Sequence, residues 1–519
     1  MTIAPVLFFP FLAMRLVLPL GALLALLLSA PLPALAAADA GTPLKPCRLR
    51  GLEHEALCGV LQRPLDPARP QGTQIELHYA VVPALARNKK PDPVFFFAGG
   101  PGQSAIELAG PVSAQLSRLL NRRDLVLIDQ RGTGRSAPLK CDDDDPGRPM
   151  AQTMDPARMR EQLRRCREAL QKLPHGDLRF YTTTIAMQDV DAVRQALKVE
   201  RLNAVGASYG TRAVLEYQRQ FPQRVRRAVI DGVAPPDMVL PATFSPDNQA
   251  ALDAVFQACE QEAACRQRHP ALRAQWQQLL ASLPRQATIH HPVTGRPETM
   301  TVTRPLLLGL VRAPLYAPAL ASALPQGIAD AAQGRFDTLA ALTAALQGRG
   351  KQMAMSEGMH FSVICAEDAP FMDQARDKPG ADFGDAFAQI YRDACAGWPR
   401  GDVPAAFRQL QPAQGATLVL SGGIDPVTPP RHGERVTQQL GAKARHVVVQ
   451  NAAHGVMSLG CMRDVLFRFV DAASDEDALA LDVGCAKAIP RPPAFQALRP
   501  PAPAASAVTV PPATPGAPR

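Results

Sequence analysis

The amino-acid sequence predicts an α/β fold, in which a parallel sheet is covered by helices on both faces. Three observations carry this prediction. Short apolar strands alternate with helical segments in the first half of the chain, the alternation resumes near the end, and a serine follows one strand at a tight turn into a helix. Between the two alternating regions, residues 235–412 have few strand signals and many Ala, Leu and Gln residues. We expect this stretch to form a mostly helical inserted domain.

Apolar and alternating segments define the predicted strands. Gln74–Val82 alternates in the manner of an edge strand. The other predicted strands are Pro93–Ala98, Asp124–Asp129, Arg201–Val205, Arg224–Asp231, Ala416–Leu420 and His446–Gln450. Helical spacing of apolar residues predicts helices over Thr184–Lys198, Arg212–Gln220 and Met462–Asp471.

The composition is that of a globular protein. Of the 519 residues, 47% are hydrophobic and 20% are charged. The formal charge of +9 is modest at this length, and no block of Lys and Arg stands out. The sequence therefore gives no support to a nucleic-acid-binding role.

Residues 1–36 predict an export signal. Arg15 supplies a positive start, Leu16–Leu28 is apolar, and Ala34–Ala36 is a small-x-small cleavage site. Residues 1–13 carry no charge, so Met14 is an alternative initiator to Met1. Five prolines between positions 5 and 33 argue against an uncleaved membrane anchor. We therefore expect a periplasmic or secreted protein without stable membrane insertion after cleavage.

Ten cysteines fit an oxidising compartment. Their number is even, all follow the predicted signal, and none forms a C-x-x-C pair, which argues against zinc or redox chemistry. Their order favours five pairs of neighbours, such as Cys47–Cys58 and Cys461–Cys485. The ten candidates are Cys47, Cys58, Cys141, Cys166, Cys259, Cys265, Cys365, Cys395, Cys461 and Cys485.

Ser208 is the candidate nucleophile. It lies in the pattern Gly206-Ala207-Ser208-Tyr209-Gly210, between a predicted strand and a predicted helix. Small residues two positions before and after the serine let the strand and the helix pack closely. We expect this turn to strain the serine backbone and to lift its Oγ above the sheet.

A serine hydroxyl needs a histidine to accept its proton and a carboxylate to orient that histidine. Asp425 follows the predicted strand Ala416–Leu420, and His454 follows the strand His446–Gln450. Both therefore belong at the edge of the sheet where Ser208 is expected. Asp231 also ends a strand and is a rival for the acid, and His432 and His446 are alternatives to His454.

An acyl-transfer site also needs two backbone donors for the oxyanion. The amide of Tyr209, directly after the nucleophile, is one candidate. The other is Gly100, in the glycine-rich loop after Pro93–Ala98, because Pro101 has no N–H.

Five motifs together resemble the family of proline iminopeptidases and tripeptidyl aminopeptidases. They are GGPGQS at Gly99–Ser104, DQRGTGRS at Asp129–Ser136, GASYG at Gly206–Gly210, GGIDPVTPP at Gly422–Pro430 and NAAHG at Asn451–Gly455. The resemblance extends from about Cys47 to Cys485. It implies an α/β-hydrolase fold with a helical cap, and a Ser208, Asp425 and His454 triad. It also implies an exported serine exopeptidase that acts on peptides with a free N-terminus.

Such an enzyme needs an anion to hold the substrate ammonium. The family uses acidic residues from its cap, so the resemblance makes Glu367 a candidate and Asp368 an alternative. A pair at a helix N-terminus or a surface charge is an equally good interpretation of these two acids. Asp129 and Arg131, in contrast, are expected to form a buried structural pair with each other.

The sequence thus predicts a signal peptide over 1–36, a hydrolase core over 40–234 and 413–487, a cap over 235–412, and a disordered Pro/Ala-rich tail over 488–519. The predicted chemistry uses no metal and no organic cofactor. Two alternatives remain open. One is an esterase or lactone hydrolase with the same triad, and the other is a non-catalytic binding protein that retains the fold.

Overall fold

A computed structural model describes residues 43–141, 147–153, 155–347, 355–375 and 377–496. The predicted signal peptide 1–36 lies outside these residues, as does the tail from 497 onward. The strands are β1 Lys45–Cys47, β2 Ala56–Pro64, β3 Gln74–Val82, β4 Val94–Phe97, β5 Leu125–Ile128, β6 Leu202–Ala207, β7 Val225–Asp231, β8 Arg285–His290, β9 Pro297–Val302, β10 Thr417–Gly422 and β11 Ala444–Val449.

Nine of these strands form one mixed sheet in the order β1-β2-β3-β5-β4-β6-β7-β10-β11. The six strands from β5 to β11 in this order pair in parallel, as predicted. The strands β1, β2 and β3 pair antiparallel, which the sequence interpretation did not include. The prediction of β3 as an edge strand was wrong, because β2 covers the side of β3 that faces away from β5.

The α-helices cover the sheet and fill the region between β7 and β10. They are α1 Ala109–Gln115, α2 Ser117–Leu120, α3 Met150–Thr153, α4 Pro156–Leu170, α5 Thr183–Ala196, α6 Tyr209–Gln220, α7 Leu240–Gln261, α8 Ala263–Arg268, α9 Leu272–Ala281, α10 Arg304–Leu315, α11 Pro318–Ala321, α12 Leu324–Ala332, α13 Asp337–Gln347, α14 Glu357–Glu367, α15 Ala386–Cys395, α16 Pro430–Leu440, α17 Met462–Asp471 and α18 Asp475–Leu479.

The parallel strands are apolar because both faces of the sheet are buried. One cluster of buried side chains packs β4, β5 and β10 against α17, and a second packs the opposite face against α5 and α6. The carboxyl ends of β4, β6, β10 and β11 therefore lie along one edge of a rigid layer. The loops that follow these four strands carry every residue predicted to catalyse the reaction.

The region from 235 to 412 has a hydrophobic core of its own. Its described residues form mostly helices, α7 to α15, together with the hairpin of β8 and β9. Trp276, Phe256 and Phe336 are fully buried at its centre. The mostly helical structure agrees with the predicted cap. The limits of the cap as a domain stay a prediction.

The five predicted disulfides are confirmed as pairs of neighbours in the sequence. They are Cys47–Cys58, Cys141–Cys166, Cys259–Cys265, Cys365–Cys395 and Cys461–Cys485. Five disulfides fit a protein of an oxidising, non-cytoplasmic compartment. Among the residues that the structure describes, no helix has both the length and the apolar character needed to cross a bilayer.

The start of the predicted tail contacts the rest of the molecule. The amide of Ala494 donates to the Glu262 carboxylate at 3.0 Å, and the amide of Phe495 donates to the carbonyl of Ser322 at 2.9 Å. These contacts differ from the disorder expected from residue 488 onward. Residues 489–496 pack on the cap without forming a helix or a strand, and the rest of the predicted tail lies outside the described residues.

Candidate active site

Ser208 occupies a strained turn between β6 and α6. Its backbone has φ 56° and ψ −126°, a conformation that side chains rarely adopt outside functional turns. A Cβ atom at Gly210 would lie 2.0 Å from the carbonyl oxygen of Phe97, and one at Gly206 would lie 2.5 Å from that of Gly210. The two glycines are therefore required for the close packing that the G-x-S-x-G pattern predicts.

Asp425 and His454 lie in hydrogen-bond contact. Nδ1 of His454 is 2.8 Å from Oδ2 of Asp425, which is fully buried. The Thr428 hydroxyl donates to the same carboxylate oxygen at 2.7 Å and lies 3.1 Å from Nδ1 of His454. The amides of Val427 and Thr428 donate to Oδ1, each at 2.9 Å. The carboxylate is thus held by four groups, and a proton on Nδ1 of His454 leaves Nε2 free to accept another.

The imidazole also lies beside the nucleophile turn. The amide of Ser208 donates to the carbonyl of Asp231 at 2.9 Å. A Cβ atom at the next residue, Gly232, would lie 3.1 Å from Cε1 of His454. The ring therefore packs against the backbone that is bonded to Ser208, and glycine at 232 leaves room for it.

The pKa shifts of His454 and Asp425 favour an ion pair between the imidazolium and the carboxylate. Burial alone lowers the pKa of His454, but the Asp425 carboxylate outweighs burial, so the pKa is raised above its usual 6.5. Burial alone raises the pKa of Asp425, but the imidazole and the two backbone amides outweigh it, so the pKa lies below 3.8. Each group therefore favours the charged form of the other.

Asp231, the rival acid, has other partners. Its Oδ2 accepts from the amides of Val456 and Met457, each at 2.8 Å, so it holds the chain that follows His454. Burial raises the pKa of Asp231 to about 6. The geometry favours Asp425 as the group that orients the imidazole. Asp231 has a structural role, because it holds the backbone of Val456 and Met457 in the loop that carries His454.

The glycine-rich loop lies next to Ser208. A Cβ atom at Gly99 would lie 3.2 Å from Cβ of Ser208, so any larger residue there would crowd the nucleophile. Gly100 has φ +111°, a backbone conformation that favours glycine. Tyr209 is the first residue of α6, and an amide at that position has no acceptor within its own helix. Both predicted oxyanion donors thus belong to segments that flank Ser208.

The cap contacts this loop from the other side. The amide of Ser356 donates to the carbonyl of Gly102 at 2.9 Å. The half-buried ring of His360, on α14, bridges the carbonyl of Pro101 and the hydroxyl of Tyr391. The position of the loop therefore depends on the cap as well as on the sheet.

The expected pairing of Asp129 with Arg131 was wrong. Arg131 pairs instead with Asp189 of α5, at 2.7 and 3.0 Å, and both side chains are buried. Asp129 accepts from the Ser104 hydroxyl at 2.6 Å and from the amide of Ile106, and so supports the glycine-rich loop from below. Burial raises the pKa of Asp129 to about 6. Asp129 and Arg131 are only two positions apart, so the sequence alone could not show that each side chain has a different and distant partner.

Glu367 and Asp368 end α14 in a buried network. Asp368 forms a bidentate pair with Arg212 at 2.9 and 3.0 Å. Glu367 accepts from the amide of Thr183 at 2.7 Å and from its hydroxyl at 3.0 Å, and that hydroxyl contacts the hydroxyl of Tyr209. Burial raises the pKa of Glu367 to about 7. A substrate ammonium would have to add to these contacts or replace them, so the assignment of the two acids to the amine stays a prediction.

Three residues that contact the site were missed by the sequence interpretation. Thr428 follows Asp425 by three positions, and the spacing of an Asx-type turn could have indicated it. Tyr316, from the end of α10, accepts from the amide of His454 at 3.3 Å, and the two rings lie edge to face at 5.4 Å. His360 is the third. Nothing in the local sequence marks Tyr316 or His360, because the cap brings both to the site from a distance.

The described residues include no group of three or more His, Cys, Asp and Glu side chains arranged to hold a metal. One surface cavity of about 450 Å³ lies near Asp66, Arg69 and Arg179, and its lining does not include Ser208, Asp425 or His454. Ion pairs within the protein, Arg69 with Asp66 and Arg179 with Asp177, already neutralise the arginines of that cavity.

Comparison with known proteins agrees with this architecture. Residues 92–460 match the family model of the alpha/beta hydrolase fold, which is more than half of the chain. The chain is 28% identical over 431 residues to the serine protease Hip1 of Mycobacterium tuberculosis, covering 74% of this chain and 79% of the relative. It is 32% identical over 195 residues to the tripeptidyl aminopeptidase of Streptomyces lividans, covering 34% of this chain and 35% of that protein.

A solved structure, the proline iminopeptidase of Mycobacterium smegmatis, aligns with 82% of this chain and 100% of its own, at 17% identity and a TM-score of 0.37. The family match, the sheet order and the serine turn lead to the same assignment. This chain belongs to the α/β-hydrolase fold family, as a serine hydrolase whose similar relatives include peptidases.

Proposed function

We propose that the protein is an exported serine exopeptidase that releases residues from the free N-terminus of peptides. The observation that carries the proposal is the bond between Nδ1 of His454 and Asp425, beside the strained turn of Ser208. This arrangement leaves Nε2 of the imidazole to act on the serine proton. The names of the similar relatives, a serine protease and a tripeptidyl aminopeptidase, support a peptide substrate.

The proposed reaction passes through an acyl-enzyme. Ser208 Oγ attacks the scissile carbonyl carbon while Nε2 of His454 accepts the hydroxyl proton, and the Asp425 carboxylate stabilises the imidazolium. The C–N bond then breaks as His454 gives its proton to the leaving amine. Water attacks the ester at Ser208, His454 accepts a proton from this water, and Oγ recovers the proton as the acid product leaves.

The proposed oxyanion donors are the amides of Gly100 and Tyr209. Both are backbone groups, so their positions are fixed before the substrate arrives. The turn at Ser208 fixes one donor, and the contacts of the glycine-rich loop with Asp129 and with the cap fix the other. A negative oxygen would therefore be stabilised without rearrangement of the site.

Selection of peptide ends is assigned to the cap. Two cap side chains contact the site: Tyr316, at the end of α10, lies against the ring of His454, and His360, on α14, contacts the glycine-rich loop. Their proposed role is to limit how much of a peptide chain can extend past Ser208. Glu367, with Asp368 as its alternative, stays the proposed group for the substrate ammonium. Export is proposed from the signal over residues 1–36, and the five disulfides support it.

Substrates that differ only at the amine test the proposal. Purified, disulfide-intact protein is assayed with aminoacyl and tripeptidyl p-nitroanilides, with their N-acetylated forms, and with short-chain acyl esters. We expect hydrolysis of free-amine peptide substrates, a loss of at least tenfold in kcat/KM on acetylation, and no activity in Ser208→Ala. The variant Ser458→Ala, at an exposed serine near His454, is the matched control and should keep full activity.

A preference for simple acyl esters with no effect of acetylation would assign the protein to the esterases or lactone hydrolases. Folded protein that hydrolyses none of these substrates would favour the non-catalytic binding protein. Either result overturns the exopeptidase proposal.

A further inference from the structure

Arg312 is a cation of the cap that has no acidic partner within the part of the chain that the structure describes. It lies on α10, and its Nη2 donates to the Tyr316 hydroxyl at 2.8 Å. Its Cζ atom lies 5.2 Å from the ring centre of Phe244, 5.4 Å from that of Tyr316 and 5.2 Å from that of Phe387. The side chain is half-buried, and its buried Nε has no hydrogen-bond partner among the described residues. The cation thus rests among aromatic rings with most of its donors unused.

Arg212 shows how the same chain treats a buried arginine that has a structural role. Both of its terminal nitrogens donate to Asp368, and one of them also lies 3.4 Å from Glu367. Removing a cation from water without a carboxylate is costly, which is why buried arginines are normally paired. The ion pairs of the described residues include none for Arg312, so its free donors point to a ligand that supplies the anion.

Arg312 lies close to the candidate catalytic histidine. Tyr316 joins the two, since its ring centre is 5.4 Å from Cζ of Arg312 and 5.4 Å from the ring centre of His454. The carbonyl of Tyr316 also accepts from the amide of His454 at 3.3 Å. The distance from Cζ of Arg312 to the ring centre of His454 therefore cannot exceed the sum of these two distances.

The position relative to His454 indicates which part of a substrate Arg312 faces. The imidazole protonates the leaving amine, so it lies on the leaving-group side of the scissile bond. An extended peptide spans about 3.3–3.6 Å per residue. A carboxylate one or two residues beyond the scissile bond therefore falls within reach of the guanidinium, whose planar donors match a carboxylate.

We propose that Arg312 forms a carboxylate-binding subsite for the leaving fragment of the substrate. The carboxylate is either the C-terminus of a short peptide or an acidic side chain near the scissile bond. This inference rests on the proposed function and makes it narrower: the preferred substrates are short or acidic on the leaving side. A peptide with an uncharged leaving fragment loses the contact with Arg312 but keeps those with the triad.

Direct binding tests the inference without turnover. Calorimetry on the Ser208→Ala protein compares alanine peptides of two to five residues as free acids and as C-terminal amides. A third set consists of the amides with one aspartate at the last or the next-to-last position. We expect at least one free acid to bind tenfold or more tightly than its amide, and the aspartate set to reveal whether an acidic side chain replaces the terminus.

Substitution of Arg312 tests whether this residue causes the preference for free acids over amides. In Ser208→Ala/Arg312→Gln the preference for the acid should disappear, and in Ser208→Ala/Arg312→Lys part of it should remain. Arg296→Gln in the Ser208→Ala background removes the same charge at an exposed position of β8–β9 and should keep the full preference. Equal binding of acids and amides to the parent protein, or a preference that survives Arg312→Gln, would overturn the inference.

Failure of the proposed function gives a different result. In that case wild-type protein hydrolyses neither the acids nor the amides, whatever their affinities. If the exopeptidase function holds and only the subsite is wrong, wild-type protein hydrolyses both forms with equal kcat/KM. Aminoacyl p-nitroanilides, whose leaving group has no carboxylate, should lose less kcat/KM than the free-acid peptides do in Arg312→Gln, and should be hydrolysed equally well by wild type and by Arg296→Gln.

Discussion

His360 donates a hydrogen bond from Nδ1 to the carbonyl oxygen of Pro101 at 3.2 Å, and so ties the glycine-rich loop to the cap. A carbonyl oxygen only accepts, so Nδ1 carries the proton and Nε2 accepts from the Tyr391 hydroxyl at 3.0 Å. Burial lowers the pKa of His360, which keeps the ring neutral as this pattern requires. The loop that carries a proposed oxyanion donor is thus positioned by a residue nearly 260 positions away.

We predict that His360→Phe lowers kcat by about tenfold with a smaller change in KM, because one oxyanion donor is worth roughly 10²–10³ in kcat and this change misplaces it only in part. His360→Gln, whose amide can donate to Pro101, should recover part of the loss. Steady-state kinetics on a p-nitroanilide substrate checks this, with thermal denaturation to verify folding. A rise in KM alone, or equal losses in the two variants, would contradict a positioning role.

Asp425 and Asp231 can be separated by the same substitution at each. In Asp425→Asn the amide oxygen keeps the bonds from the amides of Val427 and Thr428, and the NH₂ group that then faces Nδ1 of His454 cannot accept. We expect kcat/KM to fall by about 10⁴-fold, the scale seen when a triad acid is replaced by its amide. Asp231→Asn keeps an oxygen that can accept from the amides of Val456 and Met457, and should cost less than about tenfold. A larger loss for Asp231→Asn would assign the acid to Asp231.

The pH dependence follows from the raised pKa of His454. The general base must be neutral, so kcat/KM should rise with pH through an apparent pKa above 6.5. Both groups add to the free energy of unfolding, but their contributions depend on pH in opposite directions. The contribution of His454 is fully present below pH 6.5 and is lost as the pH rises through its raised pKa, whereas that of Asp425 is present above pH 3.8 and is lost as the pH falls through its lowered pKa. A pH–rate profile and denaturation at several pH values measure both, and an acid limb centred below 6.5 would contradict the pairing.

Packing at the nucleophile turn leaves no space for a methyl group at Gly210. We predict that Gly210→Ala lowers the free energy of unfolding by about 1–3 kcal/mol or more, because its Cβ would lie 2.0 Å from the carbonyl oxygen of Phe97. The matched control is Gly309→Ala in α10, where a Cβ meets nothing within 4 Å. That change should raise stability by about 0.5–1 kcal/mol, since alanine favours a helix. Chemical denaturation measures both, and equal effects would show that the turn is not closely packed.

The sequence predicted the features that depend on local pattern. The bounds of β3 and α17 agree with the prediction to the residue, because alternation and helical spacing are local signals. The strands β1 and β2 were missed, and β1 is only three residues long, too short for a periodic signal. The partners of Arg131 and the bridge from His360 to Pro101 could not be predicted, since both depend on which distant segments the fold brings together.

The proposed nucleophile, base and acid belong to loops after three different strands, and only a reaction at Ser208 tests that they work together. The most direct measurement is labelling of folded, disulfide-intact protein with a fluorophosphonate, followed by peptide mapping by mass spectrometry. We predict one adduct, on Ser208, formed at least 10²-fold more slowly in His454→Ala because the serine then has no base. No adduct on the folded protein, an adduct at another serine, or an unchanged rate in His454→Ala would contradict the hydrolytic mechanism.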